Sequence, residues 1–403
     1  MVKTLVGTVS GACVVPTDDL YINPDTTLCH GHYDIADATA AGVIIINASN
    51  IVLDCNGSTI NGNGSGYGIY NQGFDNVTIK NCNVMNYLYG IYVNDSTNSK
   101  VESNIIVNNG YWGIYLKYSH NTSVTGNTLN SNRQGMRLED SSNNTISKNS
   151  VDTYDDQGIN IYHNSPYNRV LNNTISGGAS YSGNIGISLD WADHTIVMGN
   201  NVTNNRGRGI SISGNSQHVV VDHNNVNNNS GYAGCGITIT SSNNIVTNNT
   251  IIFNDLGVCL FNYRRSNIIS NNIIENNNEV GIDLFAMDDT LIFNNSIKNN
   301  GGYGIKIFEY SKNNNISNNI VCQNSISDFL VDVNATENYG DNNTCYSPDG
   351  WNDNGTTGCT FICELPPKPP VAVVPTLTPV GLIALVGLLS AIAAVTITSR
   401  KRR

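Results

Sequence analysis

The sequence predicts an all-β chain wound as a right-handed parallel β-helix solenoid of about eleven coils. Two markers in phase predict it. A glycine followed by an apolar residue recurs at Gly68, Gly90, Gly113, Gly135, Gly158, Gly186, Gly209, Gly236, Gly257, Gly281 and Gly304. That beat of roughly 21 to 28 residues is a solenoid period. An asparagine keeps the same beat at Asn104, Asn127, Asn149, Asn173, Asn200, Asn224, Asn249, Asn272, Asn295 and Asn319, each three residues after one apolar position and two before another. A third observation selects strands. Within a unit the apolar residues alternate with polar ones, as Ile237 and Ile239 do before Val246 and Ile251. No unit has a run at helical spacing, and the many Asn, Gly and Ser residues weaken a helix.

One such unit cannot bury its apolar side alone. Stacked coils can, because each strand pairs with its counterpart above and below. The recurrent Asn is expected to turn inward at a corner and bond the Asn of the next coil. Its tolerance of unusual backbone angles suits the bend. At about 4.8 Å per coil, eleven coils make a rod on the order of 50 Å long.

Composition narrows the setting. The chain of 403 residues is 13% charged, with a formal net charge of −11. That balance lacks a basic nucleic-acid footprint. Ten cysteines point away from a reducing cytoplasm. About sixteen Asn-x-Ser/Thr sites, among them Asn47, Asn76, Asn121, Asn248 and Asn334, are acceptors for glycosylation in an archaeal or eukaryotic source.

Taken in order, residues 1–12 are a partial signal-like segment with one Lys and a thin apolar run from Leu5 to Val9. Residues 13–54 are read as an N-terminal cap, with Cys13 and Cys29 expected to bond. The alternating His30, His32 and Asp34 read as a solvated strand face rather than a metal site. Residues 55–332 are the β-helix. Cys55 and Cys82 fall where later coils carry the ladder Asn, and stacked strands lie within disulfide reach. They form a bridge, a thiol stack or a soft-metal site; export favours the bridge, and no His or Met repeats with them to complete a metal site. Cys235 and Cys259 fall at different repeat positions, and spacing does not pair them. Residues 333–364 are read as a C-terminal cap tied by Cys322, Cys345, Cys359 and Cys363, of unassigned connectivity, around Trp351. Residues 365–379 are a Pro-rich spacer. Residues 380–403 read as one transmembrane helix with a basic tail, Arg400 to Arg403. Basic residues stay on the cytoplasmic side, so the rod is expected outside the cell, anchored by its C-terminus.

The repeated Gly-Ile-x-Ile and Ser-x-Asn-Asn-x-Ile-x-x-Asn-x-Ile segments resemble the parallel β-helix repeats of the carbohydrate-binding and sugar-hydrolase superfamily. That superfamily includes the periplasmic NosD-type proteins of copper-enzyme maturation. The tail, Pro375-Thr376-Leu377-Thr378-Pro379 before the apolar span and basic end, resembles the sorting signals of exosortase or archaeosortase substrates. The resemblance implies an archaeal-type cell-surface protein, with a sortase-like processing enzyme as a partner.

Strand alternation places the second and fourth residues after each marker Gly toward solvent. Followed from coil to coil, that stripe holds Tyr92, Tyr115, Arg137 and Asn160, beside Lys117, Glu139, Tyr162 and Asp190, with Asp140, His163 and Trp191 at the strand ends. Aromatic and charged groups suit a glycan, so Tyr92, Tyr115, Lys117, Arg137, Tyr162 and Trp191 are the expected contacts. Sugar rings are expected to stack on the aromatic faces. If the face is catalytic, Glu139, Asp140, His163 and Asp190 are the acid–base candidates, with Arg137 or Lys117 as charge stabiliser. Beyond Trp191 the stripe turns to residues such as Ser211 and Thr238.

Two function classes follow. One is glycan binding with a structural or adhesive role in the envelope. The other is a polysaccharide-active enzyme: a lyase, epimerase or hydrolase. Copper delivery is opposed by only 7 His and 5 Met, with no paired ligand motif. No cofactor is read from the sequence; Ca²⁺ is the one ion left open.

Overall fold

The computed structural model describes residues 13–364, apart from 153, 179–183 and 232–233. The signal-like segment, the Pro-rich spacer and the expected transmembrane helix lie outside the described residues. Among the described residues no helix is long and apolar enough to cross a membrane.

Three parallel sheets run the length of the described chain. Sheet I has 14 strands, sheet II 13 and sheet III 15, and in each the next strand in space belongs to the next coil. The register is strict. In sheet I, Ile69, Ile91, Ile114, Met136 and Ile159 align in succession. Each inward row is almost wholly buried, as Val101, Val124, Ile146 and Val170 are in sheet II. There are therefore about fourteen coils, not eleven. The extra coils lack the marker glycine. Leu20–Ile22 and Ile44–Ile46 stack on Tyr67–Gln72 in the segment expected as a cap, and Ser327–Val331 stacks on Tyr303–Phe308 at the far end.

The asparagine ladder lies at the corner between sheets II and III, and its bonding has a direction. Asn127 donates both its backbone N–H and its side-chain amide to Asn149 Oδ1, at 2.9 and 3.0 Å. The same amide also donates back to Val101 O at 2.9 Å. The unusual backbone angle does not belong to this Asn. It belongs to the residue before it: Gly126 (φ 67°), Asn172 (53°), Asn248 (54°) and Asn271 (55°). The ladder Asn is selected for its amide; its neighbour is selected for the turn.

A second ladder stands at the corner between sheets III and I. It joins Asn109 to Asn132 and resumes from Asn205 through Asn229, Asn254, Asn277 and Asn300 to Asn324. Where it is interrupted, the buried Tyr154 fills the place and its hydroxyl donates to Asn205 Oδ1. Since each rung donates upward, the last rung needs an acceptor with no amide of its own. Both ladders end on a carboxylate. Asn324 donates to Asp328, and Asn343 donates to the two oxygens of Asp353 at 2.9 and 2.7 Å.

Asp353 also accepts from Thr360 and Trp351, and Trp351 stacks on Phe329 at 5.3 Å to close the apolar cross-section. Burial works to raise this carboxyl, but the donors from Asn343, Thr360 and Trp351 outweigh it and hold its pKa below the ordinary value of 3.8. A depressed folded pKa contributes stability above the unfolded value and loses it as pH falls through the folded one. Below about pH 4 the C-terminal coils should loosen first. Hydrogen exchange at Asn343 and Asn319 should accelerate there before exchange at Asn127; uniform acceleration along the rod would contradict the capping role.

Five disulfides tie the coils, and no described cysteine is free. Cys13–Cys29 and Cys55–Cys82 are bridged, the latter in the ladder position with Cα atoms 4.8 Å apart. The C-terminal four pair as Cys322–Cys363 and Cys345–Cys359. Cys235 and Cys259, which spacing left unpaired, are also bridged, across neighbouring strands of sheet I.

Candidate functional site

Sheet I presents the broad outer face. Its strands depart from simple alternation at the marker glycine. In Tyr89–Asn94 the residues Gly90, Ile91 and Val93 are buried, while Tyr89, Tyr92 and Asn94 are partly exposed. The glycine faces inward along with the residue after it. A Cβ on Gly113 would lie 2.8 Å from Gly135 O and 2.9 Å from Leu129 Cδ2. The residue before each glycine therefore also points outward, a row that strict alternation assigns to the core.

That extra row completes an aromatic ladder. Tyr67, Tyr89 and Trp112 stand beside Tyr70, Tyr92 and Tyr115. Tyr92 lies 5.1 Å from Tyr70 and 4.7 Å from Tyr115, with interplanar angles of 20° and 8°. Both faces of Tyr92 are thus occupied by other rings, so this stretch offers a ligand ring edges and hydroxyls rather than stacking faces. Burial raises the Tyr92 and Tyr115 phenols far above their usual range, which keeps both hydroxyls neutral.

The stack has two ends. At the N-terminal end Tyr67 and Tyr70 line an open depression of about 440 Å³ together with Tyr21, Ile45, Gln72 and Phe74. At the other end Arg137 is sandwiched, its guanidinium 5.0 Å from the Trp112 ring and 4.2 Å from the Tyr162 ring. Arg137 Nη2 and Nε meet Glu139 Oε2 at 2.8 and 2.9 Å, and Lys117 Nζ lies 3.6 Å from the other oxygen. The Tyr115 hydroxyl donates to Glu139 as well, at 3.1 Å. Burial works to raise Glu139, yet the Arg137 bond and charge, with Tyr115 and Lys117, hold it below the ordinary value. Glu139 is therefore an ionised, fully engaged partner at neutral pH.

Past Arg137 lies a second depression, of about 270 Å³, lined by Gln134, Arg137, Asp156, Gln157, Asn160, Tyr162, Ser188 and Asp190. Its wall is a relay: Trp112 Nε1 donates to Gln134 at 2.7 Å, and Gln134 donates to Asp156 at 2.8 Å. Two buried amide oxygens here, Gln157 Oε1 and Asn160 Oδ1, have no donor. Asp190 contrasts with Glu139. Burial pushes its carboxyl above the ordinary value, and the charge of His163 only partly offsets this.

The remaining candidates lie at the rim. His163 Nδ1 and Asp140 Oδ1 pair at 2.7 Å on the exposed corner. Trp191, half exposed, follows Asp190 in the chain. Lys117 covers Tyr118 at 5.2 Å. Beyond them the outward Ser211 and Thr238 are buried, although they point away from the core. Farther along, the outer face regains character that the Ser and Thr stretch hid: Phe261, Phe285 and Phe308 form a row, with Asp283 and Lys306 3.6 Å apart.

Sequence reasoning missed Tyr67, Tyr89, Trp112, Gln134 and Gln157. The signal was present as a bulky or polar residue directly before successive marker glycines. Period two carried back through the glycine would turn that row inward, and the reading followed only the residues after it.

The family model described as periplasmic copper-binding protein (NosD) matches residues 49–234, and the model of the right-handed beta helix region matches residues 233–363. The chain belongs to the right-handed parallel β-helix repeat family. Among solved structures it is similar to a periplasmic alginate epimerase, at 12% identity over 81% of this chain and 84% of that one, with a TM-score of 0.51. It is also similar to an E. coli bacteriophage tailspike protein in complex with a hexasaccharide, at 13% identity over 82% and 68% with a TM-score of 0.48. A third is the A-module of a mannuronan C-5 epimerase from Azotobacter vinelandii, at 14% identity over 86% and 90% with a TM-score of 0.47. At these identities the likeness is one of fold alone. No curated protein matches the chain.

Among the described residues no three His, Cys, Asp or Glu side chains converge as a metal ion needs, and the cysteines are all in disulfides. His194 and His218 stack ring on ring at 4.7 Å, with nothing further to complete a site.

Proposed function

We propose that the outer face of sheet I binds a polysaccharide laid along the helix axis, in a cell-surface protein with an adhesive or structural role. The observation that carries this reading is the polar depression at Arg137, Asn160, Tyr162, Ser188 and Asp190, in line with the tyrosine edges and the stack-end depression at Tyr67 and Tyr70. Tyr70 and Asn160 are four coils apart in register, roughly 19 Å at the usual strand spacing. A chain of several sugar units spans that distance, with hydroxyls to meet the row between. The disulfides fit a non-reducing compartment. In this reading residues 380–403 hold the rod at the membrane or carry it to a sorting enzyme.

The fold does not choose the ligand; the side chains do. Tyr162→Ala and Asn160→Ala should each weaken binding of a recognised glycan about tenfold, or about 1.4 kcal/mol, with unfolding midpoints near wild type. Tyr167→Ala, on the corner beyond sheet I, should leave affinity unchanged. Equal affinity in all three, measured by titration calorimetry, would remove the site.

A second reading, a polysaccharide-active enzyme, has Asp190 in its favour. A part-buried carboxyl that burial pushes above its ordinary value holds its proton more readily than a solvated aspartate, as a general acid must. Appearance of reducing ends or unsaturated products, abolished in Asp190→Asn, would establish it over binding alone.

A further inference from the structure

We infer that the depression around Asp190 selects sugars that bring hydrogen-bond donors and no acid group, neutral or amino sugars, and rejects uronate and sulfated chains. This rests on the glycan reading above and specifies its ligand class.

Acceptors stand without partners in the lining. Gln157 Oε1 and Asn160 Oδ1 are buried and receive no hydrogen bond. The Asp190 carboxylate lines the same space, half-buried, with its charge opposed by burial. Asp156, a second carboxylate in the lining, already accepts from Gln134. An acceptor without a donor is costly, and a ligand hydroxyl or ammonium is the complement that the Asp190 carboxylate lacks.

The cation that would greet an acid is already committed. Arg137 is the only cation among the residues lining the depression. Two of its nitrogens are directed to Glu139, and its guanidinium is held between the Trp112 and Tyr162 rings. Lys117, the next cation along the face, lies against the same carboxylate at 3.6 Å. A uronate carboxylate would have to break the Arg137–Glu139 pair or face Asp190 and Asp156. Both routes leave a like charge or a stripped ion beside the part-buried Asp190. A neutral sugar meets neither penalty, and an amino sugar gains from Asp190. Discrimination here comes from what is placed against the wrong ligand as well as from what favours the right one.

The test uses the full-length protein and matched hexamers: cellohexaose, mannohexaose and glucosamine hexamer against oligogalacturonate and oligomannuronate. Titration at pH 7 and low salt should give measurable affinity for at least one neutral or amino hexamer, and at least tenfold weaker binding of both uronates. Asp190→Asn should narrow that gap while keeping the wild-type unfolding midpoint, whereas Tyr167→Ala should preserve it. A uronate bound as tightly as the neutral and amino hexamers, or more tightly, overturns the selection while leaving glycan binding intact. Binding of none of the five overturns both the selection and the glycan reading.

Discussion

Asn249→Ala is expected to destabilise the β-helix by about 3–5 kcal/mol, since several buried groups lose partners at once at roughly 1–3 kcal/mol each. Asn249 Oδ1 accepts from both the N–H and the side-chain amide of Asn224, at 2.8 and 3.0 Å. Its own amide donates to Asn272 Oδ1, Val221 O and Thr247 O, at 3.0, 2.9 and 2.8 Å. Alanine removes that whole set and strands the backbone N–H of Asn224, whose side-chain amide keeps only Val197 O and Asp222 O, in a corner that is 1–2% exposed. Water cannot replace them without opening the stack. The contrast is the turn residue Asn243, which bonds Gln217 at 2.9 Å and adopts φ 61°. Asn243→Gly keeps that backbone conformation and should change stability by no more than about 0.5 kcal/mol. Urea unfolding of the two variants measures the difference. Similar losses in both would show that the ladder amides are solvated and the inward placement is wrong.

The same residue shows how far the sequence could be read. The beat of Asn249 and its equivalents revealed the fold because one stacking solution repeats in every coil. A period written in the chain becomes a row in space, and the row of ladder asparagines is where spacing placed it. Reading failed where the local rule changed without leaving a mark. The first coils, around Ile22 and Ile46, and the last, around Phe329, pack like the others but lack the glycine that announces a coil. Spacing could not pair Cys235 with Cys259, because Cys235 stands before Gly236 and Cys259 two after Gly257. Only the inward turn of the glycine brings both positions to one face. The candidate site was legible as a stripe and not as a place. Arg137, Tyr162 and Asp190 were found from their outward parity. Their division into a neutralised cluster and an acceptor-rich depression depends on which side chain leans on which, as Arg137 does on Trp112 and Glu139. Spacing carries no such information.

Gly257→Ala should be among the most damaging single substitutions in the chain, a loss of at least about 3 kcal/mol or failure to fold. Its backbone is ordinary; the demand is for space. A Cβ there would lie 2.3 Å from Gly281 O, 2.5 Å from Ile274 Cγ2 and 3.2 Å from Asn277 Nδ2. The first contact is the backbone of the next coil, held in register by sheet I, and cannot swing aside as a side-chain tip could. The second is a fully buried core residue of sheet III, and the third is a rung of the second asparagine ladder. One methyl group thus presses on a strand, the core and a ladder together. Gly126 supplies the opposite case. It adopts φ 67°, and a Cβ would meet nothing nearer than Ser103 Oγ at 4.0 Å. Its counterparts in other coils include Asn172, Asn248, Asn271, Asn294 and Asn318, each with positive φ. Gly126→Asn should therefore be neutral or stabilising by a few tenths of a kcal/mol, because asparagine tolerates that conformation and leaves the unfolded chain less freedom. Paired denaturation curves decide the matter. If the two substitutions shift the midpoint equally, the marker glycines serve chain flexibility and not the close approach of neighbouring coils.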